Sequence, residues 1–455
     1  MVRSVVFAWA LAASTGARLR PRRALALRGG GGGAVEAQQA RLLADGARLW
    51  NGEDWRGAIT AYDAALALGA VTGGELLQAH ANLGAAHMQL AHGGDWSPAT
   101  LDAETFHVRA AARHWAIPHA AAPCATSEFF LALLRKDLAL LEATAAAHGG
   151  ARGAAALEVE LEIEAVPRVA AADLSLARFR AEFAETRRPV VLTGLALPDA
   201  EALLASLEPY GDASVPLRRR VSGSHAWAEL GGAVERAPLR DVLAGGRGDD
   251  LVLFDCPLPH TLEFPIPRYF SGDLLNPDGS DWELSVKPGV ADEALRGQWP
   301  SLFAQPAGTR CGLHVDAHAT HFWQALLKGK KRWRIFPEAE THRLYPHGPN
   351  RAHFSVGDAL SPDLDAFPAL RGAKCWDATL EAGDVLFVPC GCAHQVANDA
   401  ATLAVSANYV DDTNLDAAID ALFLTCEGGG GARPAFDALR RRLLDARDGG
   451  GADYS

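Results

Sequence analysis

The feature that most constrains the fold is the run GDVLFVPCGCAHQVAN, which starts at Gly383 and lies near the end of a region of short apolar segments. A Gly-Asp turn precedes four apolar residues, and Pro389 and Gly391 then reverse the chain before His394 opens an alternating segment. Similar β-like runs, separated by Gly, Pro and Asp, fill residues 302–410. The pattern predicts an all-β core in which His394 begins a strand, with Val396 and Asn398 on its own face.

A second stretch, GLHVDAHATHFW, is rich in metal-ligand residue types. His314 and Asp316 are two positions apart, so both side chains share one face of a strand. The pair Asp316 and His318 has the same spacing. The residues alone do not decide whether His314 or His318 is the metal ligand that accompanies Asp316, and His321 is a further candidate ligand. His394 adds a second imidazole from a distant strand. Two histidines and one carboxylate that leave coordination positions open are typical of non-haem Fe(II) oxygenases.

The segment HFWQALLKGKKRWRIFP predicts a hairpin that turns at Lys328–Lys330. On the returning strand Lys331 shares a face with Trp333 and Ile335, and this apolar pair indicates the inner face. A buried ammonium group is costly without an anionic partner, which a dicarboxylate cosubstrate beside a metal would supply. The alternative is that Lys331 lies at the strand end and extends to water.

Residues 34–150 have helical periodicity, with Ala58, Tyr62 and Ala65 on one face. Glycines at positions 46 and 84 recur at a spacing near the tetratricopeptide period of about 34 residues. The sequence therefore predicts a tetratricopeptide-like domain, closed by a helix in SEFFLALLRKDLALLEATAAA, with a plain helical bundle as the alternative. Such a module would contact a protein partner or pack against the next domain.

The two ends of the chain differ from the middle. Residues 1–33 combine an early Arg, a short apolar run, small residues and then further arginines. This indicates a secretory or organellar targeting segment, or otherwise a disordered start of a cytoplasmic or nuclear protein. The apolar run is too short to cross a membrane, so no transmembrane segment is expected in the mature chain. GGGGG before residue 34 predicts a flexible break, GGARGAA at Gly149–Ala156 predicts a linker, and 426–455 is expected to be a helical or disordered tail.

Charge and cysteine usage exclude some classes of function. The net charge of −12 and the pI near 5.7 argue against a dedicated nucleic-acid surface. Seven irregularly spaced cysteines argue against a disulfide framework or a structural zinc site. Cys390 and Cys392 are expected to line a loop rather than bind a soft metal. His342, His347 and His353 are expected at the surface or at the rim of a substrate site.

Residues from about 160 to 412 resemble a JmjC (cupin-like) domain, close to the small JmjC hydroxylases that include the lysyl hydroxylase of splicing factors. The segments that carry the resemblance are RRPVVLTG, LVLFDCPL, YFSGDLL, WPSLFAQPAGTRCGLHVDAHATHFWQALLKGKKRWRIFP and AGDVLFVPCGCAHQVAN. The resemblance implies an α+β chain whose core, within residues 157–425, is a double-stranded β-helix of the jelly-roll or cupin type.

The resemblance also implies a chemistry. Fe(II) would be bound by His314, Asp316 and His394, and Lys331 would hold the distal carboxylate of the cosubstrate 2-oxoglutarate. Residues expected to line the cosubstrate pocket are Gln324, Ser406 and Asn408. With O2, the enzyme would hydroxylate a side chain of a protein or peptide substrate and release succinate and CO2. His318 would then lie in a turn, and His321 would pack at the start of the next strand.

Some positions depart from the family pattern, and two other functions compete. Cys311 stands where a Thr or Ser often binds the cosubstrate, Gln324 replaces a frequent Asn, and Cys392 and Ala393 replace bulky aromatics. The competing functions are demethylation of methyl-lysine or methyl-arginine by the same chemistry, and a catalytically silent binding scaffold.

Overall fold

The computed structural model describes residues 32–69, 74–91, 98–121, 123, 125–153, 160–219, 235–245, 251–259, 261–275, 300–347, 353–427 and 433–448. The predicted targeting segment lies outside the described residues except for its last two positions. The chain divides near residue 150 into two compact units.

The first unit consists of helices. Its described helices are α1 (Gly32–Asn51), α2 (Trp55–Ala67), α3 (Gly74–Ala91), α4 (Pro98–Ala121) and α5 (Ala125–Gly153). Neighbouring helices pack together in the order α1 with α2, α2 with α3, and α3 with α4. The predicted face of α2 is buried, and the Tyr62 hydroxyl accepts a hydrogen bond from Asn82 Nδ2 at 2.7 Å. The helical character of this region agrees with the sequence, whereas the tetratricopeptide repeat remains a prediction.

Two local expectations in this region were wrong. Helix α1 begins at Gly32, inside the predicted flexible glycine run, and α5 continues through Gly149 and Gly150 to Gly153. A glycine costs a helix about 1 kcal/mol relative to alanine, and the alanine-rich surroundings of both sites are strong helix formers. Helix α4 lies within the residues predicted to be helical, although the sequence did not indicate its bounds, because it carries Pro118, is rich in His and has a weakly amphipathic pattern.

The second unit contains the strands. They are β1 (Glu162–Ala165), β2 (Arg168–Ala170), β3 (Val190–Thr193), β4 (Ser214–Arg219), β5 (Glu235–Pro238), β6 (Leu251–Pro257), β7 (Ser301–Gln305), β8 (Arg310–His314), β9 (His321–Lys328), β10 (Lys330–Phe336), β11 (Pro346–His347), β12 (His353–Phe354), β13 (Lys374–Glu381), β14 (Val385–Val388), β15 (Ala393–Asn398) and β16 (Thr402–Tyr409). Helices α6 (Leu176–Phe179), α7 (Ala200–Leu207), α8 (Leu239–Leu243), α9 (Leu415–Glu427) and α10 (Arg433–Asp448) complete it.

The strands form two large sheets. One has the order β1-β13-β10-β15-β8-β12-β11, and the other has the order β2-β3-β14-β9-β16-β7-β6-β4-β5. Side chains from both sheets meet in one apolar cluster, in which Phe322 and Leu386 pack with Trp333 and Ile335. The fold class predicted from the sequence, α+β with a cupin-like jelly-roll core, is therefore confirmed.

The outer face of the second sheet is covered by upstream segments. Trp323 stacks on Phe270 with ring centroids 5.5 Å apart, and Phe387 lies edge-on to Phe179 at 5.0 Å. Because β9 and β14, which carry Trp323 and Phe387, are buried on both faces, their sequences are nearly continuous apolar runs. Farther along the chain, α9 and α10 pack together through Ile419, Leu422 and Leu443.

The β9–β10 hairpin has the predicted turn. Gly329 has φ +92°, and a Cβ at this position would clash with the carbonyl oxygen of Ala401. Only glycine meets both requirements, so the turn fixes where β10 begins and which of its residues face inward. Among the helices that the structure describes, none combines the length and the apolar character needed to cross a membrane.

Candidate metal centre

Two neighbouring strands bring together three ligand-type side chains. His314 ends β8, Asp316 lies two residues beyond it, and His394 is on the antiparallel neighbour β15, where it is the register partner of His314. The three residues offer ligand atoms that lie within 4.8 Å of one another. In the described part of the chain, no other set of three His, Cys, Asp or Glu residues meets that distance. We refer to these three residues as the triad.

The hydrogen bonds of both triad histidines orient their rings for a metal. His314 Nδ1 lies 2.7 Å from the carbonyl oxygen of Gly312, and His394 Nδ1 lies 3.0 Å from that of Cys392. A carbonyl oxygen can only accept, so Nδ1 carries the proton in each ring and Nε2 keeps its lone pair. Burial lowers the pKa of both histidines to about 4, so both are neutral at pH 7, as metal ligands must be.

The carboxylate of the triad is held by a neighbouring amide. Asn408 on β16 donates a hydrogen bond to Asp316, and its Nδ2 atom also lies 2.8 Å from Thr320 Oγ1. Burial raises the pKa of Asp316 to about 6, against the opposing effects of His314 and Asn408. The carboxylate is therefore mostly ionised at pH 7 and can act as an oxygen ligand.

The other two histidines of the opening stretch lie apart from the triad. His318 has φ +58° in the turn Ala317–Ala319 and does not line the cavity beside the triad. His321 is fully buried, its Nδ1 accepts from the Cys390 amide at 3.0 Å, and its Nε2 donates to Thr413 Oγ1 at 2.9 Å. The structure thus groups the HxD pair rather than the DxH pair, and both ring nitrogens of His321 have partners.

The cysteines next to His394 do not resemble a soft-metal site. Burial raises the pKa of the Cys390 thiol to about 11 and that of the Cys392 thiol to about 12. Both therefore stay protonated at neutral pH, whereas a metal ligand would need the thiolate. Their main-chain groups contribute instead, since Cys390 N–H binds His321 and the Cys392 carbonyl orients His394.

A cavity of about 570 Å³, including the part open to solvent, lies beside the triad between the two sheets. It is lined by all of the residues predicted from the sequence to bind metal or cosubstrate, namely His314, Asp316, Gln324, Lys331, His394, Ser406 and Asn408. The aromatic walls are Phe254, Phe303, Phe322 and Trp333. The cavity is thus mostly apolar with a few convergent polar groups, which is the usual character of a small-molecule site.

Lys331 lies inside this cavity and does not reach water. It is 1% exposed, and its Nζ donates to Gln305 Oε1 at 3.3 Å and lies 5.9 Å from the centre of the Phe303 ring. Burial lowers the pKa of Lys331 to about 7, and the opposing influence is that of Cys311 rather than a carboxylate. A buried cation without a carboxylate partner among the described residues fits an anionic ligand.

Gln305 and Asn398 complete the surroundings of Lys331, and sequence reasoning did not assign them to the site. Gln305 Oε1 accepts both from Lys331 and from Asn398 Nδ2, the latter at 3.1 Å. Asn398 is also the register partner of Lys331 across β10 and β15. The signal for Asn398 was its position on the same strand face as His394. Gln305 had no such signal, because its strand β7 lies in the opposite sheet.

Other cavity residues present polar atoms that have no hydrogen-bond partner in the described part of the chain. Gln324 Oε1 and Trp333 Nε1 are buried and form no hydrogen bond with any described residue. Gln324 is paired in register with Ser406, itself buried and cavity-lining. Buried polar groups are nearly always satisfied, so these atoms favour a polar ligand or ordered water in the cavity. Cys311 lines the same cavity, with its Sγ 3.8 Å from His314 Nδ1.

Asp255 is a second carboxylate of the cavity that sequence reasoning missed. It has φ +53° at an irregularity in β6, where the register with β7 shifts between Leu253 and Cys256. Its charge contributes to the raised pKa of Asp316. A non-glycine residue in this backbone region is strained, and such strain is concentrated at functional sites. The available signal was an acidic residue within the apolar run LVLFDCPL.

The three histidines of the following loop have separate positions. His342 Nδ1 donates to the carbonyl oxygen of Ala339 at 2.9 Å at an exposed site, and His347 ends the short strand β11. His353 begins β12 and is the register partner of His314. The expectation that these residues form a surface or substrate rim remains a prediction.

Comparison with known proteins gives consistent matches. Residues 281–414 match the family model described as a cupin-like domain. The human 2-oxoglutarate and iron-dependent oxygenase JMJD4 is 31% identical over 155 residues, which cover 33% of this chain and 34% of that protein. Arginine-specific demethylase JMJ20 of Arabidopsis thaliana is 24% identical over 168 residues, 36% of each chain.

A longer match covers more of both proteins. Bifunctional arginine demethylase and lysyl-hydroxylase psr-1 of Caenorhabditis elegans is 22% identical over 271 residues, 55% of this chain and 63% of that protein. The chain spans about one third of the length of the first two relatives. Together with the two sheets and the cavity between them, these matches show that this chain carries a cupin-like JmjC domain.

Proposed function

We propose that the second unit is an Fe(II)- and 2-oxoglutarate-dependent oxygenase that hydroxylates a protein side chain. The observation that carries the proposal is the presence, in one cavity, of the triad and of a buried lysine that has no carboxylate partner among the described residues. Relatives named 2-oxoglutarate and iron-dependent oxygenase support the choice of metal and cosubstrate.

The residues of the triad fit an iron ion. His314 and His394 present Nε2 lone pairs, and Asp316 presents a carboxylate oxygen. Three ligands of this kind occupy one side of an ion and leave positions for other molecules. Bound iron, with 2-oxoglutarate and O2, supplies the oxidising chemistry that places one oxygen atom in a C–H bond and converts the cosubstrate to succinate and CO2.

The chain's own residues bind the cosubstrate and exclude water. Lys331 pairs with the carboxylate farther from the metal, and Gln305 with Asn398 holds the ammonium group in place. Gln324 and Ser406 offer hydrogen bonds from the opposite sheet, since an amide can present either its oxygen or its NH2 group. The aromatic walls keep the surroundings dry, which strengthens each of these charge interactions.

The substrate that we propose is a basic side chain of a protein. The names of two relatives specify arginine demethylation, and one of them also specifies lysyl hydroxylation. Within this chain, the half-buried Asp255 supports the same substrate class, because it adds negative charge beside the triad. We propose in addition that the helical unit recruits the protein substrate.

Demethylation is the second candidate, favoured by the relatives named arginine demethylases. The same residues would serve it, with an N-methyl carbon in place of a side-chain carbon as the site of oxidation. The carbinol so formed would release formaldehyde and leave the unmethylated nitrogen.

A trapping experiment tests the proposal and separates the candidates. The inactive variant Asp316→Ala is used to capture bound proteins, which are identified and then treated with the wild-type enzyme, Fe(II) and 2-oxoglutarate. Hydroxylation is expected to add one oxygen atom to a Lys or Arg residue, whereas demethylation removes a methyl group with formaldehyde. If captured proteins are left unmodified and no cosubstrate is consumed, the chain is a binding scaffold and the proposal fails.

A further inference from the structure

Four histidines lie at regular positions on two helices of the first unit. His80 and His87 are seven residues apart on α3, and His107 and His114 are seven residues apart on α4. Seven residues are close to two turns, so each pair shares one face of its helix. The two helices pack against each other, and they meet through these faces.

The four rings contact one another across the helix pair. His80 Nδ1 lies 3.0 Å from His114 Nδ1, and His87 Nδ1 lies 2.9 Å from His107 Nδ1. The rings of His87 and His114 stack with centroids 5.7 Å apart and an interplanar angle of 10°. The first histidine of each helix thus meets the second histidine of the other helix, and the four rings form a continuous row, which we call the histidine ladder.

The close approach of the two helices is built into the sequence. Gly84, midway between the two histidines of α3, faces the indole of Trp115, and any Cβ there would clash with Trp115 Nε1. The same Nε1 donates to the carbonyl oxygen of Ala81 at 2.9 Å. The crossing point is therefore fixed by a glycine and a bonded tryptophan, and the ladder rings extend on both sides of it.

The rings are electronically suited to bind a cation. Burial lowers the pKa of His87 and His114 to about 4 and also lowers the pKa of His80 and His107. The positive charges near the ladder that contribute to these shifts belong to Arg56 and Arg113. The four imidazoles are mostly neutral at pH 7, so a metal does not have to displace a second proton from any ring. The proton that each pair shares in its Nδ1–Nδ1 hydrogen bond moves to Nε2 when a metal binds.

We propose that the histidine ladder is a second metal site, separate from the triad, that takes imidazole-preferring divalent ions such as Zn²⁺, Ni²⁺ or Cu²⁺. Metal–imidazole bonds of about 2.0–2.1 Å place two ligand nitrogens about 2.9 Å apart at a right angle and about 3.3 Å apart at the tetrahedral angle. The observed separations of 3.0 and 2.9 Å match this range. Rotation of the rings directs both Nδ1 lone pairs at one ion, with the ring protons on Nε2.

Each histidine pair supplies two ligands to its own ion. Among the described residues, no third His, Cys, Asp or Glu comes within 4.8 Å of both nitrogens of either pair, so water completes the coordination. Imidazole ligands suit zinc, copper and nickel rather than magnesium or calcium. An ion held between α3 and α4 cross-links the two helices and stabilises the helical unit.

Counting bound ions in the full-length chain tests the site. The parent protein carries His314→Ala and His394→Ala, which remove the triad as a ligand source. It is dialysed against graded Cu²⁺ or Zn²⁺, and bound metal is measured by elemental analysis, with nitrogen ligation of Cu²⁺ read from its electron paramagnetic resonance spectrum. We expect two ions per chain, a loss of one ion in the variant His87→Gln/His107→Gln, and loss of both when all four ladder positions are Gln.

Controls separate a true site from adventitious binding and from misfolding. The variant His119→Gln, which changes a histidine of α4 outside the ladder, is expected to bind as much metal as the parent. Circular dichroism checks that the helices persist, and the two-histidine variants provide the test if the fourfold variant fails to fold. The proposal is overturned if the parent binds no ion, if ladder variants bind as much as the parent, or if bound Cu²⁺ has no nitrogen ligands. None of these outcomes depends on oxygenase activity, so the site stands or falls independently of the proposed function.

Discussion

Replacement of Lys331 by Met is expected to stabilise the second unit while it weakens cosubstrate binding. The side chain is 1% exposed, and burial lowers its pKa from 10.5 to about 7. A shift of one unit corresponds to about 1.36 kcal/mol, so the charged lysine costs the folded state about 4–5 kcal/mol at pH 7. Because apolar replacements of buried ions usually recover part of such a cost, we expect a gain of about 1–4 kcal/mol.

The pH dependence of this gain has a definite sign. The folded-state pKa lies below the unfolded value, so between pH 7 and about 10.5 the unfolded chain binds more protons than the folded chain. The stability of the wild type therefore rises with pH in this window, as far as Lys331 is concerned. The advantage of Lys331→Met is greatest at or below pH 7 and shrinks towards pH 10.

The same substitution removes the proposed partner of the distal carboxylate. Hydrogen bonds to charged groups contribute about 1.5–3 kcal/mol, so we expect 2-oxoglutarate to bind about 10- to 100-fold more weakly. Isothermal titration calorimetry with Fe(II) under anaerobic conditions measures the affinity. Hydrogen–deuterium exchange of peptides from β9 and β10 measures the stability of this unit alone, which a global melting curve of a two-unit chain would not isolate.

Lys330→Met is the matched control on the same strand. Lys330 is about half exposed and its Nζ lies 3.9 Å from Glu381 Oε1, so its loss is expected to change stability by less than about 0.5 kcal/mol and to leave 2-oxoglutarate affinity unchanged. The reasoning is refuted if Lys331→Met is less stable than the wild type, or if it binds the cosubstrate as tightly.

Three further outcomes follow from the structure. Affinity for 2-oxoglutarate is expected to fall above pH 7, by up to about tenfold per unit, because burial holds the pKa of Lys331 near 7 and the carboxylate needs the charged form; a flat calorimetric profile between pH 6 and 9 would contradict this. Asn408→Ala is expected to weaken metal binding about 10- to 100-fold, since the amide orients Asp316; equilibrium dialysis measures this, and an unchanged affinity would exclude the orienting role. Gly329→Ala is expected to lower the free energy of unfolding by more than about 2 kcal/mol, because its φ is +92° and a Cβ there would clash with Ala401. The control Gly357→Ala, with open space around it, is expected to cost less than about 0.5 kcal/mol. Chemical denaturation measures both.

The residues whose position the sequence could predict lie on regular strands. Alternation predicted Lys331 on the inner face with Trp333, because side-chain direction in a strand has a period of two. It left open the alternative that Lys331 lies at the strand end and extends to water. The geometry of the HxD pair followed from the same rule. Choosing His314 rather than His318 as the metal ligand beside Asp316 required the family resemblance, because the two pairs have identical spacing. In the structure the two pairs differ because a turn with positive φ at His318 ends the strand.

The residues that the sequence did not predict depend on contacts between distant segments. Gln305 reaches Lys331 across the sandwich, from a strand whose place in the second sheet no local pattern specifies. Asp255 enters the cavity through a register shift in β6, which inverts the expected side-chain direction. The histidine ladder could not be predicted, because the sequence indicated neither the bounds of α4 nor its pairing with α3.

Succinate formation tests the central claim most directly. Wild-type protein with Fe(II), ascorbate, O2 and 2-oxoglutarate is expected to release succinate slowly even without a protein substrate. His314→Ala is expected to lose this activity, because it removes a metal ligand, whereas His318→Ala should retain most of it, because His318 lies outside the cavity. Succinate release that is absent from the wild type, or equal in His314→Ala, would contradict the account.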